Sequence, residues 1–151
     1  MTTPETIIKK IDALEGREQE HASWLLSLLD HEDSMVRFSA IRPLIYRCSV
    51  STLTEKLWLM LDNEPDEDVL LLIISALSVR NKGSKDLQFI RRFQQAIERV
   101  GSKLQGTRDT FDDAKLRVMI GYDTKQLVKI TLAERHKQLA AIDAVLVAQT
   151  G

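Results

Sequence analysis

The stretch from Trp24 to Leu44, WLLSLLDHEDSMVRFSAIRPL, constrains the fold most. An apolar helix end with Leu25, Leu26, Leu28 and Leu29 meets a polar break, Asp30-His31-Glu32-Asp33, and a second apolar helix starts at Met35-Val36. The pattern returns about one helical hairpin later, as Leu57 to Leu61, then Asp62 to Asp68, then Val69 onward. A chain that repeats such a unit buries each hairpin's apolar face on the next one. Stacks of this kind offer surfaces for binding rather than reaction chambers.

Helical punctuation supports this spacing. Thr3 can cap a first helix with Pro4 at its first position, and Gly16 ends it. A second helix is expected from Glu18 to Leu29, and a third, capped by Asp33 or Ser34, to Cys48, with a kink near Ser39 to Arg42 because Pro43 removes a backbone hydrogen bond. Thr52 and Glu55 form a capping-box pair for a fourth helix reaching Leu61. Asp66 or Asp68 starts a fifth that ends near Arg80 and is apolar nearly all round, so it is expected to be the most buried. Ser84 caps a sixth, with Leu87, Ile90, Phe93, Ile97 and Val100 at helical spacing, and Gly101 stops it. Gly106 and Thr107 read as a loop before a seventh helix over Phe111 to Ile120, closed by Gly121. Asp123 or Thr124 opens one long last helix reaching Ala148. No segment reads as a convincing strand.

Composition narrows the function classes. At 151 residues the chain suits one domain that buries roughly two thirds of its unfolded surface. A net charge of −1 gives the chain as a whole no strong pull on nucleic acid or anionic membranes. The lone Cys48 forms no internal disulfide, the N-terminus lacks the apolar core of a signal peptide, and the apolar run from Val69 to Leu77 is too short to span a bilayer. The expected location is the cytoplasm.

The layout resembles the HEAT-repeat family, including its HEAT-like, phycobilisome-lyase-type members. There a helix ends in leucines, a turn containing Asp follows, and the next helix opens with Val-Arg and carries a small residue four positions after the Val. Here Leu28-Leu29-Asp30, Val36-Arg37 and Ala40 match. Leu61-Asp62 and Val69 match in part, with Leu70 in place of Arg. The resemblance implies an all-α, right-handed α–α superhelix with repeats at about residues 18–48 and 52–80. Residues 84–149 would be a degenerate repeat plus a capping C-terminal helix. Family repeats often join a turn Asp to an Arg of the neighbouring unit, and Arg37 alone is placed for that.

Catalytic and metal constellations are weak. His21, His31 and His136 sit among charged neighbours and read as surface histidines. Glu18 and His21 have the Glu-x-x-His spacing of a di-metal bundle but lack a second such pair. Asp62 to Asp68 lacks the Gly and late Glu of a calcium loop and reads as an acidic helix cap. Gly101 to Gly106 has phosphate-loop spacing without the Lys-Ser/Thr that would follow. No cofactor, metal or catalytic residue is assigned.

Two surfaces stand out. Phe38, Arg42 and Tyr46 follow one another at i, i+4 and i+8 on the third helix, off its core face of Val36, Ala40, Ile41, Leu44 and Cys48. Arg and aromatics are over-represented among interface hot spots. The plainer alternative is that Phe38 packs beneath a neighbour and Arg42 covers it. The stretch from Arg80 to Arg108 is basic, and on the sixth helix Arg91, Arg92 and Arg99 are candidate contacts, with Arg92 and Arg99 expected to be solvated. The expected function is a non-enzymatic protein-binding module of adaptor, regulatory or immunity type. Nucleic-acid binding through the Arg80–Arg108 surface is the alternative, and an enzyme ranks third. The last helix, through Val128, Leu132, Leu139, Ile142 and Leu146, either caps its own chain or, at heptad-like spacing, forms a homodimer seam.

Overall fold

A computed structural model describes residues 2–100 and 105–150. It is all-helical, with no strand among the described residues. Two compact units are present, Met1–Leu72 and Ile73–Gly151.

The first unit opens with α1 (Pro4–Asp12), capped by Thr3, whose hydroxyl accepts from the Thr6 N–H. The helix stops at Asp12, earlier than the Gly16 expectation. A turn fills the gap, and Gly16 takes a left-handed φ of +85°. The expected helix from Glu18 to Leu29 is broken into a 3-10 turn (Glu18–His21), α2 (Ala22–Ser27) and a second 3-10 turn (Leu28–Asp30). No side chain caps its start, and the tighter final turn gives the Leu28 carbonyl a partner in the His31 N–H.

Asp33 caps α3 (Ser34–Tyr46) by accepting from Met35 and Val36 N–H groups. The helix runs on across Pro43 for one more turn. Its core residues Val36, Ala40, Ile41 and Leu44 are fully buried, and it packs against both α1 and α2. α4 (Leu53–Asn63) buries Leu53, Leu57, Met60 and Leu61. Its expected capping box does not form. Thr52 sits in a helical conformation (φ −91°, ψ −3°), whereas a capping side chain needs extended backbone to reach back to the first turn.

α5 (Glu67–Arg80) starts under Asp66, whose carboxylate accepts from the Val69 N–H. Val69, Leu70, Ile73, Ile74 and Leu77 are fully buried, as its all-round apolarity predicts. The boundary between the two units falls within this helix.

In the second unit α6 (Leu87–Val100) is capped by Asp86, not Ser84: Asp86 accepts from Gln88 and Phe89 N–H groups. Its buried residues are Phe89, Ile90, Phe93 and Ala96. Gly101 lies outside the described residues. α7 (Gln105–Lys115) runs through Gly106 and Thr107, which the sequence reads as a loop, and passes into a π-turn (Leu116–Ile120). Gly121, at φ +89°, ends it, its N–H donating to Leu116 and Arg117 carbonyls.

The expected single last helix is two. α8 (Thr124–Lys129) carries a capping box of Asp123 and Gln126. Ile130 is extended, and α9 (Leu132–Thr150) restarts with the Thr131 hydroxyl accepting from the Glu134 N–H. The break removes the continuous heptad seam from Val128 to Leu146. Ile142 is buried, Leu139 and Leu146 are half-buried, and Val128 and Leu132 stay exposed. No helix among the described residues is long and apolar enough to cross a membrane.

Candidate functional site

α3 carries two different sets of polar and aromatic side chains. Successive helical residues turn by roughly 100°, so Arg37 falls on the core side with Val36 and Leu44, while Phe38, Arg42 and Tyr46 fall on the far side.

Arg37 makes the stronger contacts. Its Nε donates to Glu64 Oε1 at 2.9 Å and its Nη2 to Glu64 Oε2 at 2.7 Å. Its Nη1 donates to the carbonyls of His31 and Glu32 at 2.9 and 3.0 Å. Glu64 Oε2 also accepts from the Asp66 N–H at 3.0 Å. The Glu64 side chain is 2% exposed and that of Arg37 is 12% exposed. The Glu64 hydrogen bond, opposed by desolvation, raises the guanidinium pKa above its ordinary value. One arginine thus ties the turn before α3 to the turn before α5. The acidic run 62–68 serves the same join: Glu64 receives Arg37 and Asp66 caps α5. Sequence spacing points to Arg37 but not to Glu64, since a buried carboxylate in a run of five looks like its neighbours. Lys56 of α4 pairs with Asp30 in a more exposed bridge of the same unit.

The far side of α3 faces an open groove of about 550 Å³. Phe38, Arg42, Tyr46 and Arg47 line one wall, with Ser39 and Pro43 between them. The other wall is Ile11, Asp12, Glu15 and Glu18, from the end of α1 and the turn after it. Tyr46 is 66% exposed. Phe38 is half-buried, with the Arg42 guanidinium 5.9 Å from its ring centroid, at the outer reach of a cation–π contact. Among the described residues no ion pair crosses the groove, although cations line one wall and carboxylates the other. Glu18 instead accepts from the Gly16 N–H. The structure therefore gathers Phe38, Arg42 and Tyr46 at one site. It adds Asp12, Glu15 and Arg47, which sequence reasoning missed because no local pattern brings residues 12–18 beside 38–47.

Arg91, Arg92 and Arg99 are not gathered in this way. Arg91 is half-buried, lines a second groove with Gln94, Gln95 and Glu98, and directs Nη2 to the Leu146 carbonyl at 3.5 Å. Arg92 is half-buried, not solvated as expected, because the buried face of α6 reaches round to Phe89 and Ala96. Arg99 is exposed. Lys103 lies outside the described residues, as does the side chain of Arg108.

That second groove, of about 590 Å³, is bounded by α6, α7 and α9. Lys115, 8% exposed, bonds Asp143 at 2.8 Å and lies 4.8 Å from the Phe111 ring centroid. Arg135 of α9 bonds Asp113 at 2.6 Å. Burial raises the Asp112 carboxyl pKa, against the opposing pull of Lys115 and Arg135. These pairs tie α9 to α7. Burial, and after it the Glu18 charge, pushes the Cys48 thiol pKa up. His31 is half-buried and accepts the Asp33 N–H at Nδ1. His21 is half-buried and His136 exposed.

No family model matches the chain, and no curated protein or solved structure is significantly similar to it.

Proposed function

We propose that this chain is a non-enzymatic protein-binding module of the HEAT-like type, acting as an adaptor, regulatory or immunity-type protein in the cytoplasm. The observation that carries the reading is the groove beside α3. An exposed tyrosine, an arginine lying along a phenylalanine ring, and an opposite wall of carboxylates offer the residue types that dominate protein interfaces. The unpaired charges on both walls favour a partner that supplies their counter-charges.

The Arg37–Glu64 bridge supports the HEAT-like part. It joins one inter-helical turn to the next, the role that turn Asp and Arg play in family repeats, with Glu in place of Asp. On this reading the helices continue as a right-handed superhelix and α3 lines its binding side. The nucleic-acid alternative is favoured less: of its three arginines Arg99 is exposed, whereas Arg91 is half-buried with Nη2 3.5 Å from the Leu146 carbonyl and Arg92 is half-buried.

The test compares wild type with Arg42→Ala/Tyr46→Ala as bait in native lysate, with nuclease and high-salt arms. A stoichiometric, nuclease-resistant protein held by wild type and lost by the variant supports the proposal. Equal capture by both baits overturns the assignment of the site, and loss on nuclease treatment overturns the partner class.

A further inference from the structure

The charge of this chain is strongly divided. Residues 1–72 hold seven Lys and Arg against fourteen Asp and Glu, a net charge of −7. Residues 73–151 hold fourteen against eight, a net charge of +6. The total of −1 leaves little long-range repulsion between two copies.

Each unit also has an unpartnered surface of the matching kind. In the first, the groove exposes Asp12 and Glu15 beside Tyr46. In the second, the elbow between α8 and α9 exposes two large apolar side chains, Val128 at 80% and Leu132 at 66%. Lys125, Lys129 and Lys137, on the same two helices, are exposed as well. Among the described residues none of these three lysines makes an ion pair. Exposed apolar side chains close in sequence to unpaired lysines match the carboxylate wall of the groove and the apolar Tyr46 and Pro43 of its other wall, which also carries Arg42 and Arg47.

We propose that the groove of one copy docks the α8–α9 elbow of a second copy. The proposal rests on the reading of the groove as a protein-docking surface and names its occupant. Lys125 and Lys129 meet Asp12 and Glu15, while Val128 and Leu132 cover Tyr46 and Pro43. The contact is head-to-tail, so every docked pair leaves one groove and one elbow open and the assembly extends or closes as a ring.

Sedimentation velocity on the full chain tests this across a concentration series, in about 50 mM and about 500 mM salt, which shorten the screening length from well over 10 Å to a few Å. The expected result is a mass above the 17.2 kDa monomer that rises with concentration at low salt and collapses at high salt. Asp12→Lys/Glu15→Lys and Lys125→Glu/Lys129→Glu should each weaken self-association at least about tenfold. All four positions are exposed, and circular dichroism confirms that each variant is folded. An equimolar mixture of the two variants should associate again, because each carries the surface that complements the other's reversed one. A monomer at every low-salt concentration, association indifferent to the reversals, or a mixture that stays monomeric overturns the proposal. A monomer that still captures another protein through Arg42 and Tyr46 overturns self-docking alone. Self-association rescued by the charge swap, with no other protein captured, upholds self-docking and overturns the adaptor role.

Discussion

Replacing Arg37 by Met tests whether the α3 bridge is a structural member or surface decoration. The substitution keeps most of the aliphatic stem and removes four hydrogen bonds, two to Glu64 and one each to the His31 and Glu32 carbonyls. Glu64, 2% exposed, then keeps the Asp66 N–H among its described hydrogen-bond donors. Breaking a buried pair from one side costs about 3–5 kcal/mol. The solvent edge of Arg37 places this case near about 3 kcal/mol. That is a large share of the ~5–15 kcal/mol that holds a domain folded, and amounts to a fall in Tm of about 6–12 °C. Urea unfolding followed by tryptophan fluorescence suits the measurement, since both tryptophans, Trp24 and Trp58, lie in the first unit. The double variant Arg37→Met/Glu64→Leu removes the buried carboxylate as well and should recover at least about 1 kcal/mol of the loss. A single-variant loss below about 1 kcal/mol, the range of an exposed ion pair, would refute the reasoning. So would a double variant as unstable as the sum of its parts.

Three further outcomes follow from the second unit. Asp112 has a folded-state pKa raised by burial, so the stability it confers is full below the unfolded pKa and is lost as pH rises through the folded one. Asp112→Asn should therefore raise Tm at pH 7 and bring no gain below about pH 3; an unchanged or lower Tm at pH 7 counts against it. Gly121→Ala places a Cβ 3.6 Å from Gly83 Cα, an ordinary contact, so its cost is the φ of +89°, about 1–2 kcal/mol, read as a Tm fall of about 2–8 °C. Among its described residues, α9 buries Ile142, half-buries Leu139 and Leu146, and carries the ion pairs Arg135–Asp113 and Lys115–Asp143. Hydrogen exchange in α9 should quicken in high salt while that of α3 holds steady, and salt-independent protection of α9 would contradict it.

Helix positions were legible in the sequence where a local rule sets them. Thr3, Asp33, Asp66 and Asp123 cap the helices that follow them, and the all-round apolarity of Val69 to Leu77 marks the most buried helix. The failures have local causes too. Thr131 and Glu134 stand at capping-box spacing behind β-branched Ile130, a stop-and-restart signal obscured by the apolar rhythm running across it. Gly106 reads as a breaker, yet a glycine inside a helix costs only about 1 kcal/mol and contacts elsewhere can meet that. Asp86 outranks Ser84 as a cap because it stands directly before the first helical residue. What no local rule reaches is the meeting of residues far apart in sequence: Arg37 with Glu64, and Asp12 and Glu15 with Arg42 and Tyr46.

The helical period explains how α3 serves stability and recognition at once. Residues at i, i+4 and i+8 drift slowly around the axis, so Phe38, Arg42 and Tyr46 share one flank while Val36, Ala40 and Leu44 share the opposite one. Arg37 lies with the core residues, and its charge is matched inside the unit by Glu64 and two turn carbonyls. Arg42 lies on the open flank, where its described contact is the face of Phe38 and its charge stays available. The two arginines sit five residues apart with opposite duties, and the difference is burial rather than residue type. Arg42→Ala should then change stability by no more than about 0.5 kcal/mol, the mirror image of Arg37→Met, and a urea midpoint shifted equally by both would show that α3 does not divide its faces in this way.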